Sequence, residues 1–242
     1  MNIFALIKKY PKKRGELPEP LKKIFDSFYL SNRENLFLQL IRRWLHSIMD
    51  NREKKFTTLE IGAGTLNHLK YEKTDIYDII EPKKFLYSNS NNIKLINKTF
   101  DNIDHCKNRY YDRIISIAVL EHLTDLPRYL YESSKKMKEN SYQQHSIPCE
   151  GYPMWNITWF LISGISFRLK FGYSFKYIQK HEHVNNFDEI LALIKFFYKD
   201  VKVKFSYPLY NKYLSLYSNI KFSNPNKENI QKYLQLNKTL IN

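Results

Sequence analysis

Two glycines one residue apart, Gly62 and Gly64, follow a short apolar run that ends in Glu60. A further carboxylate, Glu81, comes about 20 residues later at the end of the next such run. The chain has only 6 glycines in 242 residues, so two placed this closely mark a backbone that something must approach. Bare backbone at the carboxyl edge of a parallel sheet is where open α/β folds bind ligands, and a carboxylate ending the second strand can accept hydrogen bonds from both ribose hydroxyls. The pattern implies a nucleoside cofactor. The dinucleotide fingerprint GxGxxG fails because Asn67 stands at the third glycine position, and no GK[ST] is present to make a P-loop. A sulfonium cofactor carries no phosphate and needs only the glycine loop, the ribose acid and a place for adenine, so S-adenosylmethionine fits best.

Other groups with chemical capacity lie downstream. Glu121 and His122 read either as a helix entry that caps and packs, or as groups that bind a substrate and remove a proton. Cys149 and Glu150 follow a fifth β-type run; transfer from a sulfonium needs no thiol nucleophile, whereas Glu150 could bind acceptor hydroxyls. His181 and His183 flank Glu182 at the expected mouth of the site, and His145, inside an expected strand, reads as a hydrogen-bonded core histidine. From Gly151 to Gln179 the chain carries Arg168, Lys170 and Lys176 but no Asp or Glu, interleaved with aromatics from Tyr152 to Tyr177. That suits a helical lid with its own core, and also an acceptor with apolar and anionic parts. Cys106 and Cys149 show no metal-ligand spacing, so free thiols and no metal are expected.

These groups need a scaffold. From Thr57 the runs TTLEI, DIYDII, NIKLI, DRIISIA and YQQHSI alternate with helical stretches, which argues for a parallel sheet with helices on both faces. YQQHSI is polar for a buried strand and is placed there because the alternation requires one before Pro148. Asp125 is expected to cap a helix with Leu126, Tyr129, Leu130 and Met137 on one stripe. Asn186 with Glu189 should open another that buries Ile190, Leu193, Ile194 and Phe197. DVKVKFSY and YLSLYSNIKF read as a closing antiparallel pair. Ahead of the sheet, Leu21, Ile24, Phe25 and Phe28 mark one helix. Phe37, Leu40, Ile41, Trp44, Leu45 and Ile48 mark a second, opened by a capping box of Ser31 and Glu34.

Hydrophobic residues at 43% and aromatics at 16% exclude disorder. The formal charge of +15 is mostly scattered Lys with no Arg-rich or RNP-like cluster, so a nucleic-acid partner is not implied. The first residues do not make a secretory signal and no uncharged apolar run approaches 18 residues, so a cytoplasmic protein is expected.

Taken in order, the motifs resemble those of class I S-adenosylmethionine-dependent methyltransferases of the broad type-11 group. LEIGAG is similar to the first motif and YDIIEP to the second. YDRIISIAVLEHLTDLPRYL is similar to the fourth strand with its LEH, SIPCEG to the fifth-strand ending, and KHEHVNNFDEI to the helix start after a variable insertion. The resemblance covers about Thr57 to about Phe222. It implies a Rossmann-like, seven-stranded, mostly parallel sheet with the last strand antiparallel and helices on both faces. Around it would stand an N-terminal helical extension (1–50), a methyltransferase domain (51–222) with a lid at 151–180, and a tail (223–242). It further implies that Gly62, Ala63 and Gly64 meet the methionine part through backbone, that Glu60 orients this loop, and that Glu81 binds the ribose. Asp101, Asn102 and Ile103 would recognise adenine, and Ser116 and Ala118 would line the methionine and ribose side. The chain departs from the family at Leu66, where a third glycine often sits, and in its polar fifth strand.

The activity implied is methyl transfer to a small-molecule or glycan-type acceptor, with surface polysaccharide biosynthesis as the setting. For a hydroxyl acceptor, His122, Glu150 and His183 are the candidate catalytic residues. Two rivals stand beside this. One is an RNA methyltransferase: a metal-dependent family resembles AVLEH but uses a further Glu where this chain has Ala118. The other is a cofactor-binding module without turnover. Peripheral contact with an anionic membrane surface stays open as a partner.

Overall fold

Seven strands form one sheet in the order β3-β2-β1-β4-β5-β7-β6. They are β1 Asn51–Ile61, β2 Glu72–Ile80, β3 Lys98–Phe100, β4 Tyr111–Ile117, β5 Met137–Pro148, β6 Tyr198–Phe205 and β7 Tyr217–Pro225. The computed structural model describes residues 2–23, 43–46, 48, 49, 51–206 and 210–241. Neighbours from β3 to β5 pair in parallel, and β7 runs antiparallel to both β5 and β6. This is the expected sheet, reversed at its last strand. Ile24, Phe25, Phe28, Ser31, Glu34, Phe37, Leu40 and Ile41 of the expected N-terminal helices lie outside the described residues. Among the described residues no helix is long and apolar enough to cross a membrane.

The helices form where capping and periodicity agree. Asp125 accepts a hydrogen bond from the Arg128 N–H (3.3 Å) and starts helix Leu126–Lys136, which buries Leu126, Tyr129 and Leu130. Met137, expected on the same stripe, instead begins β5. Asn186 and Glu189 form the reciprocal capping box of helix Phe187–Phe197, which buries Ile190, Leu193, Ile194 and Phe197. Helices Ile3–Ile7 and Lys227–Ile241 join these two over one face of the sheet, on a core containing Leu59, Ile61, Ile114, Ile147, Ile220 and Phe222.

The connections at the β3 edge are shorter than expected. Only the 3-10 turn Leu69–Tyr71 intervenes between β1 and β2. NIKLI does not form the third strand: Ile93–Leu95 is a 3-10 turn with Ile93 and Leu95 exposed, and the strand is Lys98–Phe100. The reason is register. Pairing with β2 starts at Asn97, whose N–H donates to the Tyr77 carbonyl (2.8 Å) and whose side-chain amide donates to Asp78 (2.8 Å), leaving residues 93–95 upstream of the ladder.

Met49, Leu66, Leu69, Tyr77, Ile79 and Ile115 pack on this second face, together with a buried ionic cluster. Fully buried Arg113 donates through Nη1 to both oxygens of Glu72 (2.6 and 2.7 Å) and through Nη2 to the Met49 carbonyl. His68 Nε2 bonds the same carboxylate (2.6 Å), and the Tyr77 hydroxyl donates to Glu60 Oε2 (2.8 Å). Burial pushes the Glu60 carboxyl up from 4.5 to about 7, against the pull of His68 and Tyr77. With its folded value raised, stability from this group is complete below the unfolded value and is lost as pH rises through about 7. The loss is on the order of 3 kcal/mol. Urea midpoints of the wild type should therefore fall more steeply between about pH 5 and pH 8 than those of Glu60→Gln, the difference between the two profiles being the contribution of this group. Parallel pH profiles for the two proteins would refute the assignment.

The polar fifth strand is accommodated by partners. Gln143 Nε2 donates to the Tyr198 hydroxyl (2.6 Å) and to Ser133 Oγ (2.9 Å). His145 Nδ1 pairs with the Ser116 hydroxyl (2.7 Å) and its ring stacks on Phe222 at 5.1 Å. Burial pushes this imidazole down to about 3, so His145 is a neutral core histidine. Beyond β5 the chain folds into helices Pro153–Trp159 and Ile165–Phe171 joined by one π-helical turn, then helix Lys176–Glu182. Phe167, Phe175 and Ile178 pack there with Leu17 and Leu21 as a separate small core.

Candidate functional site

At the carboxyl ends of β1 and β2 the loop 62–64 and Glu81 hold each other. Gly62, at φ +66°, donates to the Ile80 carbonyl (2.8 Å). A Cβ there would stand 2.6 Å from Val119 Cγ2, so what approaches the backbone at Gly62 is Val119, from the loop after β4. Gly64, also at positive φ, donates its N–H to Glu81 Oε2 (2.9 Å), and Lys83 N–H donates to Oε1 (3.0 Å). Each oxygen keeps a lone pair. Ala63 and Leu66 are buried against the second face. Leu66 takes the left-handed conformation that a third glycine would suit (φ +61°), at a strain of about 1–2 kcal/mol that its burial offsets.

Asn102 opens the 3-10 turn Ile103–His105 by accepting from the Asp104 N–H (3.1 Å), with Ile103 buried and Asp101 exposed. Ala118, at φ +55°, donates to the Ser146 carbonyl (2.9 Å). The side chains of Glu60 and Ser116 turn into the sheet packing, to Tyr77 and His145 respectively.

His122, Glu150 and His183 come together from three segments: the exit of β4, the exit of β5 and the end of helix Lys176–Glu182. The two imidazoles meet edge to face at 4.8 Å. His122 Nδ1 donates to the Glu182 carbonyl (2.7 Å), which leaves its Nε2 as acceptor, 3.9 Å from Glu121 Oε1. Burial and then His183 push His122 well below its ordinary pKa. His183 Nδ1 pairs with Glu150 Oε2 (2.5 Å), whose other oxygen accepts from Gln179 Nε2 (2.6 Å). Burial alone would lower His183, but the bond and charge of Glu150, with Glu121 and Glu182, raise it. Trp155 and Trp159 stack at 5.1 Å and both lie beside the His183 ring. Glu121 is 1% exposed and its Oε2 has no hydrogen-bond partner; burial pushes its carboxyl up to about 7.

A strap of residues 10–15 fastens this cluster. Arg14 donates to the carbonyls of His181 (2.9 Å), Glu182 (3.2 Å) and His122 (3.0 Å). Lys12 Nζ reaches the Val184 carbonyl and Glu189, and the Tyr10 hydroxyl donates to Asn185. His181 bonds the Gly15 carbonyl (2.7 Å) and so belongs to the fastening. Nothing periodic in the stretch PKKRGELPEP marks Arg14.

No protein-family model matches the sequence, and no curated protein matches it. Solved structures do. A plantazolicin methyltransferase, BpumL, in complex with SAH aligns with TM-score 0.56 at 14% identity, over 92% of this chain and 95% of its own. A SAM-dependent methyltransferase of Thermotoga maritima, described as a possible histamine N-methyltransferase, gives 0.55 at 14% identity, over 92% and 99%. The CurJ carbon methyltransferase gives 0.54 at 15% identity over 85% of this chain, which spans only 61% of the CurJ chain. With its strand order and reversed last strand, the chain has the fold of the class I S-adenosylmethionine-dependent methyltransferases.

Proposed function

We propose that this chain transfers the sulfonium methyl of S-adenosylmethionine to a small-molecule or saccharide acceptor. The observation that carries the reading is the convergence on one sheet edge of a glycine loop bonded to Glu81 and a histidine–carboxylate cluster built from separate strand exits. The residues fit the cofactor: Glu81 is an acceptor-only group with lone pairs free for a ribose diol, and it ends β2 where a nucleoside fold requires it. The backbone of 62–64 would hold the methionine part, residues 101–103 the adenine, and Ala118 with the backbone of Ser116 the wall between them. When bound, the cofactor supplies the electrophilic methyl. The chain aligns the acceptor with it beside His183, where the apolar rings of Trp155 and Trp159 limit access of water. His183, oriented and raised in pKa by Glu150, takes a hydroxyl proton, while His122, held well below its ordinary pKa, accepts a hydrogen bond from the acceptor.

Glu81→Ala should weaken both S-adenosylmethionine and S-adenosylhomocysteine by about 1 to 3 kcal/mol, the order expected for lost hydrogen bonds to a charged group. Calorimetry reads this directly. Unchanged affinity, or tight NAD binding by the wild type, would remove the cofactor from the proposal.

A surface saccharide, as in polysaccharide biosynthesis at the cytoplasmic side of a membrane, is supported by the side chains exposed along residues 151–180. Ile157, Phe160, Leu161 and Leu169 are exposed there. Arg168 and Lys170 are exposed beside them, with no acid between residues 151 and 179. Such a face suits an acceptor carried at an anionic bilayer. The protein should co-sediment with phosphatidylserine vesicles, and Leu169→Asp should release it. Indifference to those vesicles argues for a freely diffusing acceptor.

A further inference from the structure

We propose that Glu121, His122 and His183 form a three-ligand site for a divalent first-row transition-metal ion, zinc in kind, with its remaining position open to the acceptor. The role of the ion rests on the methyl-transfer reading; its binding does not. One ligand atom from each residue lies within 4.8 Å of the others. Tetrahedral coordination at about 2.1 Å spaces ligands by about 3.4 Å, so side-chain movements on the order of 1 Å complete the site.

Two features distinguish this cluster from an ordinary buried polar contact. Glu121 Oε2 is buried with nothing to bond, although a carboxylate oxygen so placed requires a cation or a donor. Each imidazole also has its Nδ1 already engaged, His122 with the Glu182 carbonyl and His183 with the Glu150 carboxylate, which leaves Nε2 as the ligand atom of each. A ring nitrogen held by a carbonyl or carboxylate behind a free one is the arrangement of metal-ligating histidines. Two imidazoles and one carboxylate suit zinc, cobalt or iron(II) rather than magnesium or calcium. Gln179 fixes Glu150, and Arg14 fixes the carbonyls on both sides of the cluster, so its geometry is built in from beyond the ligands.

An acceptor hydroxyl seated at the open position would lose its proton to water at neutral pH. Its oxygen then forms the bond to the methyl carbon as the carbon–sulfur bond breaks, and the electron pair stays on sulfur, giving S-adenosylhomocysteine. His122 Nε2 then serves as ligand, and the ion supplies what a base would otherwise do.

The test is titration of the chelator-stripped full chain with cobalt(II), read by its visible absorption. The expected result is one equivalent bound in a tetrahedral-type spectrum and displaced by zinc, with affinity at least tenfold weaker in Glu121→Gln and His183→Ala. Glu150→Gln, which leaves all three ligands in place, should weaken binding about 10- to 100-fold and covers the case in which a ligand variant does not fold. Absence of the band, or wild-type affinity in all three variants, overturns the site. Undiminished methyl transfer by stripped protein overturns the ion's role while sparing the enzyme, whereas cobalt binding without any methyl transfer supports the site and counts against the enzyme.

Discussion

Replacing Arg113 by Ala is expected to destabilise the fold by about 3 to 5 kcal/mol, the cost of leaving a buried charge without its partner. Arg113 lies in the middle of the sheet, opposite Thr58 on β1, and both its donor nitrogens that bond are committed, to Glu72 and to the Met49 carbonyl. Removing it strands Glu72 at 0% side-chain exposure with His68 as its remaining partner. Urea unfolding at neutral pH measures the loss, and a change below about 1 kcal/mol would show that the cluster is solvated in solution. Replacing both Arg113 and Glu72 by Met should recover most of the stability, because an apolar pair needs no solvation.

His183→Ala should lower turnover about 10²- to 10⁴-fold, the range for a group that moves or polarises a reacting proton, with S-adenosylhomocysteine affinity unchanged. The separation follows from position. His183 meets His122, Glu150 and the two tryptophans, whereas the expected cofactor residues 62–64 and 81 are bonded to one another. Single-turnover rates and calorimetry on the same protein decide it. If product affinity falls as steeply as the rate, His183 is holding the edge of the sheet together and takes no part in handling the acceptor.

What could be read from the chain was what is local. TTLEI and DRIISIA became β1 and β4 because a central parallel strand needs an unbroken apolar run, and Asn186 with Glu189 declared a helix start within four residues. NIKLI has the same β-type composition, and no local feature shows that β2 is engaged only from Asn97 onward. The polar strand β5 was accepted for its place in the alternation, and its tolerance depends on Tyr198, Ser133 and Ser116, which only the folded chain brings to it. At the candidate site, the sequence offered Glu121, His122, Glu150 and His183 one by one. The bond between Glu150 and His183, 33 residues apart, and the orphaned oxygen of Glu121 are products of topology.

The strap of residues 10–15 has a consequence in time. Its bonds from Tyr10, Lys12 and Arg14 reach partners 175, 177 and 167 residues later. During synthesis at about 5 to 20 residues per second, Tyr10 waits about 10 to 35 seconds before Asn185 exists. The first stretch translated is thus among the last to settle, and it settles across a nearly finished sheet. Contacts of such long range are the slow kind, since the whole intervening loop must close before they form. The histidine–carboxylate cluster is therefore completed at the end of folding, and a nascent chain that has built β1 to β5 still lacks it.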